Sequence, residues 1–573
     1  MTEQLTVMIE RVDDIPILIA SMDRMGLAEL VDEYFAPHGN WQGLSPGKVL
    51  TGWLAHILSE ADHRLNRVQD WAAKRIETLR GSLGDEVRAL DFADDRLAIG
   101  LDLLSDDEKW AQFEMALNQR TIRVYDLKPK SVRIDSTTAS GYWKVTEDGL
   151  FQFGHSKDRR PDLPQVKVVL STLDPLGMPV VTQVVSGEKA DDPLYIPAID
   201  QVREGVGRRG LLYVGDCKLM ALETRAHLEV GDDYYLGPFS LTQIPQETLD
   251  DYLKPVWDKE QPLTAVYRCG ADGKKEQIAE GFERSETLTV MVAGKEETWV
   301  EHRLVVRSLQ HAKAAEAALR SRLEKAKAAI EALNERKQGR ERFTELEPLR
   351  QTAEAILKQH EVEGLLVLQY AEQAQERPVR KYGARPAETR VERQVSVAVQ
   401  RDDAAIQAAV RRLGWRMYGT NCPQNELSLE QAVLAYREEY LVERNFGRLK
   451  GKPLTLTPMY LEDDQRATGL IRLLSVGLRV LTLLEHVARR RLAETGEALT
   501  GLYAGNPSRA TNRPTTEAML QAFKDIFLSL VTIGEQTYRH LTPLSDLQQQ
   551  ILGLLDFPVS IYTRLSTNSA NPP

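Results

Sequence analysis

Ser131-Val132-Arg133-Ile134-Asp135 alternates apolar and polar side chains and closes on an acid, the period-2 signature of a half-buried strand. Residues 165–173 (QVKVVLSTL), β-branched and bounded by Pro164 and Asp174-Pro175, predict a second strand, and residues 178–185 (MPVVTQVV) a third. The link Asp174-Pro175-Leu176-Gly177 makes the latter two a hairpin. A helix over 195–206 follows, then residues 211–216 (LLYVGD), an apolar run that again ends on an acid. A helix over 219–228 and a strand over 233–236 complete the order β-β-β-α-β-α-β. That order predicts an α/β core, a mixed sheet flanked by helices.

On either side of this core the period differs. Residues 1–125 carry apolar side chains at helical spacing, with Ser45 as an N-cap ahead of Pro46, and little strand signal. They read as a separate helical N-terminal domain. Residues 263–269, 286–292 and 298–306 predict antiparallel strands, and 310–360 an antiparallel helical hairpin turning near Gly339. A strand at 365–370, a basic stretch, a strand at 415–419, a long helix from Ser428 through Lys450 and an apolar helix over 469–493 follow. The expected organisation is a helical N-terminal DNA-binding domain (1–125), a first core segment (126–240), an α+β insertion domain (241–410), a second core segment (411–495) and a helical C-terminal tail (516–573).

Composition bounds the class. The 573 residues are 42% hydrophobic and 27% charged, which excludes a disordered chain or a collagen-like repeat. Cys217, Cys269 and Cys422 are too few and too scattered for a disulfide framework or a structural zinc site, so a reducing cytoplasm is expected. No apolar leader is visible at the N-terminus. Residues 470–487 are interrupted by Arg472, Arg479 and Glu485 and predict a buried helix rather than a membrane span. The net charge of −11 argues against a polyanionic partner only globally. Seven basic residues between Arg377 and Arg401 against Glu388 and Glu392, and five within 120–133 against Asp126, leave particular faces suited to nucleic acid.

Two acids, Asp135 and Asp216, end two strands of one predicted sheet, 81 positions apart (216 − 135). Carboxylates so placed converge and need a cation, and hard oxygen donors suit Mg²⁺ or Mn²⁺. The plain alternative is that each is a turn residue. Tyr436, Glu439, Glu443 and Lys450 follow i, i+3, i+7 and i+14, one face of the long helix. An ordinary charged amphipathic helix has the same pattern.

At this point the residues resemble a family. RIDSTT (133–138), Asp216 and the Y-x6-E-x6-K helix are similar to bacterial DDE insertion-sequence transposases, in the YREK-motif branch with an insertion before the catalytic glutamate. GHSKDRRPDLPQ (154–165), FADDRLAIGLDLL (92–104) and residues 460–469 point to a subgroup with an N-terminal helical domain, a resemblance spanning about 8–490. It implies an RNase H-like catalytic core holding two Mg²⁺ (or Mn²⁺) ions on Asp135, Asp216 and Glu443. It further implies DNA cleavage at element ends and strand transfer into target DNA, by a nucleoid-associated cytoplasmic homodimer on paired ends. Tyr436 and Lys450 match the motif tyrosine and lysine. Glu439 stands where the family has arginine, with Arg437 and Arg444 as alternative sources of that charge. Lys157, Arg159 and Arg160 are expected on DNA phosphates, or are a solvated basic loop. Trp299 is the candidate for stacking on an extruded base, or a packed tryptophan. The groove-reading element is expected within 45–60 or 62–80. An RNase H-like nuclease without strand transfer and a non-catalytic DNA-binding derivative are the rival readings.

Overall fold

The computed structural model describes residues 5–37, 39–270, 274–335, 343–379 and 388–567. They form two units: Met1–Gly237 with Thr289–Trp299 and Ala435–Pro573, and Pro238–Leu288 with Val300–Leu434. In chain order the first unit begins with β1 (Leu5–Arg11), α1 (Ile15–Met25), α2 (Leu27–Tyr34), α3 (Pro46–Glu60), α4 (Leu65–Ala73), α5 (Ile76–Leu83), α6 (Asp94–Leu104) and α7 (Asp107–Val124). Then come β2 (Ser131–Ser140), β3 (Gln165–Asp174), β4 (Met178–Ser186), α8 (Tyr195–Val206), β5 (Leu212–Val214), α9 (Leu222–Val230) and β6 (Tyr234–Pro238). The order predicted for this stretch, β-β-β-α-β-α-β, is the order observed.

The second unit runs through α10 (Gln246–Trp257), β7 (Thr264–Cys269), β8 (Lys275–Val292), β9 (Lys295–Ser308), α11 (Leu309–Glu331), α12 (Leu346–Gln359), β10 (Leu366–Val379), β11 (Glu388–Arg401), α13 (Asp403–Val410) and β12 (Trp415–Thr420). α14 (Leu429–Arg437) leads back to the first unit, which closes with α15 (Tyr440–Lys450), α16 (Asp464–Thr495), α17 (Thr516–Gln521), β13 (Phe527–Ile533), β14 (Gln536–Leu541), α18 (Asp546–Leu554) and α19 (Ser560–Thr563).

In the first unit the strand order is β4-β3-β2-β5-β6. β2, β3 and β4 are antiparallel, while β2–β5 and β5–β6 are parallel. β3 is buried from Gln165 through Leu173, because helices cover both faces of this mixed sheet. α16 is the hub. It is long and apolar enough to cross a membrane, yet 94% of its apolar window is packed inside the protein. α1, α3, α6, α15, α17, α18 and β4 pack against it. Its interrupting charges are internally paired: Arg479 meets Glu114 at 2.5 Å with both buried, and Arg472 donates to the carbonyl of Leu104 at 2.8 Å.

In the second unit the predicted helical hairpin is α11 and α12. Leu319, Leu323, Ala326 and Ile330 pack on Leu349, Ala353 and Leu357, and on Leu366 and Val397 of the β10–β11 ribbon. Gly339, its expected turn, lies outside the described residues, as do Arg380, Lys381 and Arg385 of the basic stretch. The rest of that stretch is largely strand β11, paired along its length with β10.

Four expectations change. Residues 1–125 are not a separate helical module. β1 opens the chain and pairs antiparallel with β13, Leu5 opposite Ile533 through Arg11 opposite Phe527. The C-terminal tail is accordingly not all helical, since β13 and β14 complete that three-stranded sheet. The alternation in LTVMIER is a strand signal too short to stand out beside the helices after it. Residues 45–60 do not form a groove-reading helix, because α3 is buried on nearly every face. Finally, residues 428–450 are two helices rather than one. Glu438 and Glu439 form a turn in which their amides bond Ala435 and Tyr436, three residues back.

Candidate active site

Asp135 is not a strand end. It is the fifth residue of β2, opposite Leu170 of β3, and the strand continues through Ser140. Asp216 lies two residues beyond β5. β2 and β5 pair in parallel from Ser131 opposite Leu212 to Arg133 opposite Val214, an offset of 81 (212 − 131) that is also the offset of the two acids. The ladder ends at Arg133 and Val214, and the same offset carried two residues on brings Asp135 of β2 near Asp216 of the segment after β5, close enough for the charge of Asp216 to act on Asp135. The Ser136 amide donates to Asp135 Oδ1 at 2.7 Å. Asp216 Oδ1 accepts from the buried Tyr195 hydroxyl at 2.7 Å and from the Lys218 amide at 2.8 Å. Burial raises the Asp135 carboxyl above the usual range and repulsion from Asp216 adds to it, while Lys157 opposes both. Burial, then the charge of Asp216, pushes the Tyr195 phenol far up, so it remains a donor.

Lys157 is turned toward this pair rather than left in a solvated loop. Its Nζ donates to Ser136 O at 2.7 Å and Ser136 Oγ at 2.8 Å, and stands 3.4 Å from Asp135 Oδ1 and 3.9 Å from Asp191 Oδ2. Asp191 also takes the buried Lys167 ammonium at 2.7 Å and the Ser136 hydroxyl at 3.1 Å. Burial pushes Asp191 up, but the Lys167 hydrogen bond and both lysine charges outweigh it and hold the carboxyl low. Asp191, Tyr195 and Lys167 were not singled out from the sequence. The acidic pair Asp191-Asp192 just ahead of α8 was the available signal.

The break between α14 and α15 puts Tyr436 on one helix and Glu443 and Lys450 on the next. Glu443 is exposed in the first turn of α15. Lys450 already has an acidic partner: its Nζ meets Asp158 Oδ1 at 2.5 Å. Glu439, at the head of α15, is half-buried. Burial raises its carboxyl, repulsion from Asp135, Glu443 and Asp216 adds, and Arg133 opposes. The acid that departs from the motif thus shares the field of the other three.

The remaining candidates divide. Arg444 is committed to Glu485, 2.5 Å away on α16. Arg160 pairs with Asp162 at 2.8 Å on the surface, and Arg159 is exposed in a turn at φ 57°. Arg437 lies in the last turn of α14. Trp299 is packed: it is buried, and its Nε1 donates to the Tyr235 hydroxyl at 2.9 Å, which leaves no ring face for a base. Within 62–80, Arg64, Arg75 and Arg80 are paired with Asp62, Glu60 and Glu77, whereas Arg67 and Lys74 are exposed.

Among the described residues no three His, Cys, Asp or Glu side chains come close enough together to hold a metal ion by themselves. Two neighbouring carboxylates, one raised by burial and further by the other's charge, do fit Mg²⁺, which takes one or two protein carboxylates and completes its shell with water and phosphate.

Residues 7–116 match a family described as Domain of unknown function (DUF4277). No curated protein matches the chain. Among solved structures, the chain is similar to the cryo-EM structure of piggyBac transposase synaptic complex with hairpin DNA (SNHP). The likeness has 8% identity and a TM-score of 0.33, covering 97% of this chain and 84% of that one.

Proposed function

We propose that this chain is a transposase of the DDE kind, with an RNase H-like core, that cuts double-stranded DNA at the ends of a mobile element and joins them to target DNA. The observation that carries the reading is the proximity of Asp135 on β2 and Asp216 just past the paired end of β5, each acting on the field of the site. Two charges that repel are held side by side by a rigid sheet, an arrangement that favours cation binding over fold stability. Asp135, Asp216 and Glu443 are the proposed ligands of Mg²⁺ or Mn²⁺. When bound, such ions activate the attacking hydroxyl and neutralise the leaving oxygen. The Ser136 amide and the Tyr195 hydroxyl orient the two aspartates, and no covalent protein nucleophile is required. Lys450, Tyr436, Arg437, Arg159, Arg67 and Lys74 are the proposed contacts to DNA, which position it without doing chemistry. The active form is proposed to be a dimer on paired ends in the cytoplasm.

The test is cleavage and joining of a labelled duplex bearing the element's own terminal repeats, in Mg²⁺ and in chelator. Metal-dependent cutting followed by joining supports the proposal, and cutting without joining reduces it to a nuclease. One observation favours a second reading, a DNA-binding derivative without catalysis: Glu443 is exposed, and among the described residues it joins no group of three potential metal ligands. End protection with no cutting in either metal would select it.

A further inference from the structure

The segment between β2 and β3 carries Lys157 and Asp158 side by side, and the two contact different parts of the site. Lys157 contacts Asp135 and Asp191, and Asp158 contacts Lys450. We propose that this segment is a two-ended stand-in for what the site binds, with Lys157 holding the place of the divalent cation at Asp135 and Asp158 the place of a DNA phosphate at Lys450. The inference rests on the reading above.

The distances argue for exchange rather than permanence. Lys157 Nζ is anchored by Ser136 at 2.7 and 2.8 Å, whereas its approach to Asp135 is 3.4 Å, a screening charge rather than a tight hydrogen bond. A divalent ion in direct contact with the carboxylate outcompetes such an ammonium. Lys167 is the contrast. It is buried, meets Asp191 at 2.7 Å and bonds the Lys189 carbonyl, so Asp191 stays neutralised when Lys157 leaves. At the other end, Lys450 and Asp158 are both partly exposed, and a pair of that kind contributes little to stability. A backbone phosphate can displace Asp158 at small cost. Because the two residues are adjacent, release of one loosens the other, and cation and DNA should each favour the other's binding.

The experiment uses the full chain, with free Mn²⁺ followed by electron paramagnetic resonance in the absence of DNA. Lys157→Met should bind Mn²⁺ about tenfold more tightly, since a competing positive charge is gone, and Lys157→Arg should restore the parental affinity. Lys157→Gln serves where the methionine variant does not fold. Asp158→Asn should bind a random-sequence duplex about threefold more tightly, with a salt slope steeper by about one phosphate, and lose this gain in a Lys450→Ala background. Folded Lys157→Met or Lys157→Gln with unchanged or weaker Mn²⁺ binding, or Asp158→Asn with unchanged DNA affinity, overturns the proposal. Asp135→Asn separates the two readings. If it loses Mn²⁺ while the Lys157 variants do not gain, only the stand-in fails; if it has no effect on Mn²⁺, the metal site fails as well.

Discussion

Arg133 Nη2, on β2, donates to the carbonyl of Ala435 at 2.7 Å across 302 positions of sequence, and the same nitrogen meets Asp174 at 2.8 Å. Both side chains of that ion pair are buried, and removing one partner would strand the other's charge. The bond fixes the last turn of α14 two residues from Asp135 along β2. It thereby places the α14–α15 turn, and Glu439 with it, within the field of the paired acids.

Glu439→Gln removes a negative neighbour of Asp135. The Glu439 carboxyl is itself raised, by burial first and then by the charge of Asp135, so where it sets the acid limb of the cleavage rate, that limb should move to lower pH in the variant. A pH–rate profile with an unmoved acid limb would place Glu439 outside the working site.

Asp135→Asn, Asp216→Asn and Glu443→Gln change charge with little change of size. Each should lower cleavage by at least about a hundredfold in Mg²⁺ while the affinity for element ends stays within about twofold. Gel-shift and cleavage assays on one preparation separate the two effects. A variant that cuts at the parental rate is not a metal ligand.

Trp299→Ala should act on stability rather than on reaction products. It empties a buried site and removes the indole donor to the Tyr235 hydroxyl, at a cost of about 3–5 kcal/mol. Trp299→Phe should retain most of the packing. Thermal unfolding of the two variants against the parent checks the order. A stable Trp299→Ala protein with altered end products would return the residue to a role on DNA.

His56 on α3 is buried against Trp71, ring centroids 5.0 Å apart, and burial pushes its pKa down to about 4. A base depressed in the fold contributes its stability in full above the unfolded value near 6.5 and loses it as pH falls through about 4. The loss is about 3 kcal/mol at one pKa unit per 1.36 kcal/mol. His56→Leu should flatten the decline of the melting temperature between pH 6.5 and 4. An equally steep decline would assign it to other groups.

The strands of the core were legible in the sequence because QVKVVLSTL and MPVVTQVV have β-branched side chains and hard boundaries at Pro164 and Asp174-Pro175. Asp135 and Asp216 were found by their places at the ends of such runs, although the structure moves one into a strand and the other beyond one. The α14–α15 turn was not legible. Tyr436, Glu439, Glu443 and Lys450 keep helical spacing through it, and a two-residue turn of three-back hydrogen bonds leaves side-chain periodicity almost intact. The partners of Lys157, Arg444 and Lys450 were hidden for a different reason. A basic side chain on a loop or helix reads as solvated until the distant acid that faces it, such as Glu485 or Asp158, is placed in space. Trp299 shows the converse, since its hydroxyl partner comes from β6.

The pairing of β1 with β13 has a consequence for biosynthesis. β1 must wait for residues 527–533 before its sheet exists. Closure across more than five hundred positions is slow in proportion to the loop it must shut. A nascent chain therefore carries an open strand edge at β1 for most of its synthesis. Truncated translation products of this gene should accumulate as aggregates rather than as shortened, working protein.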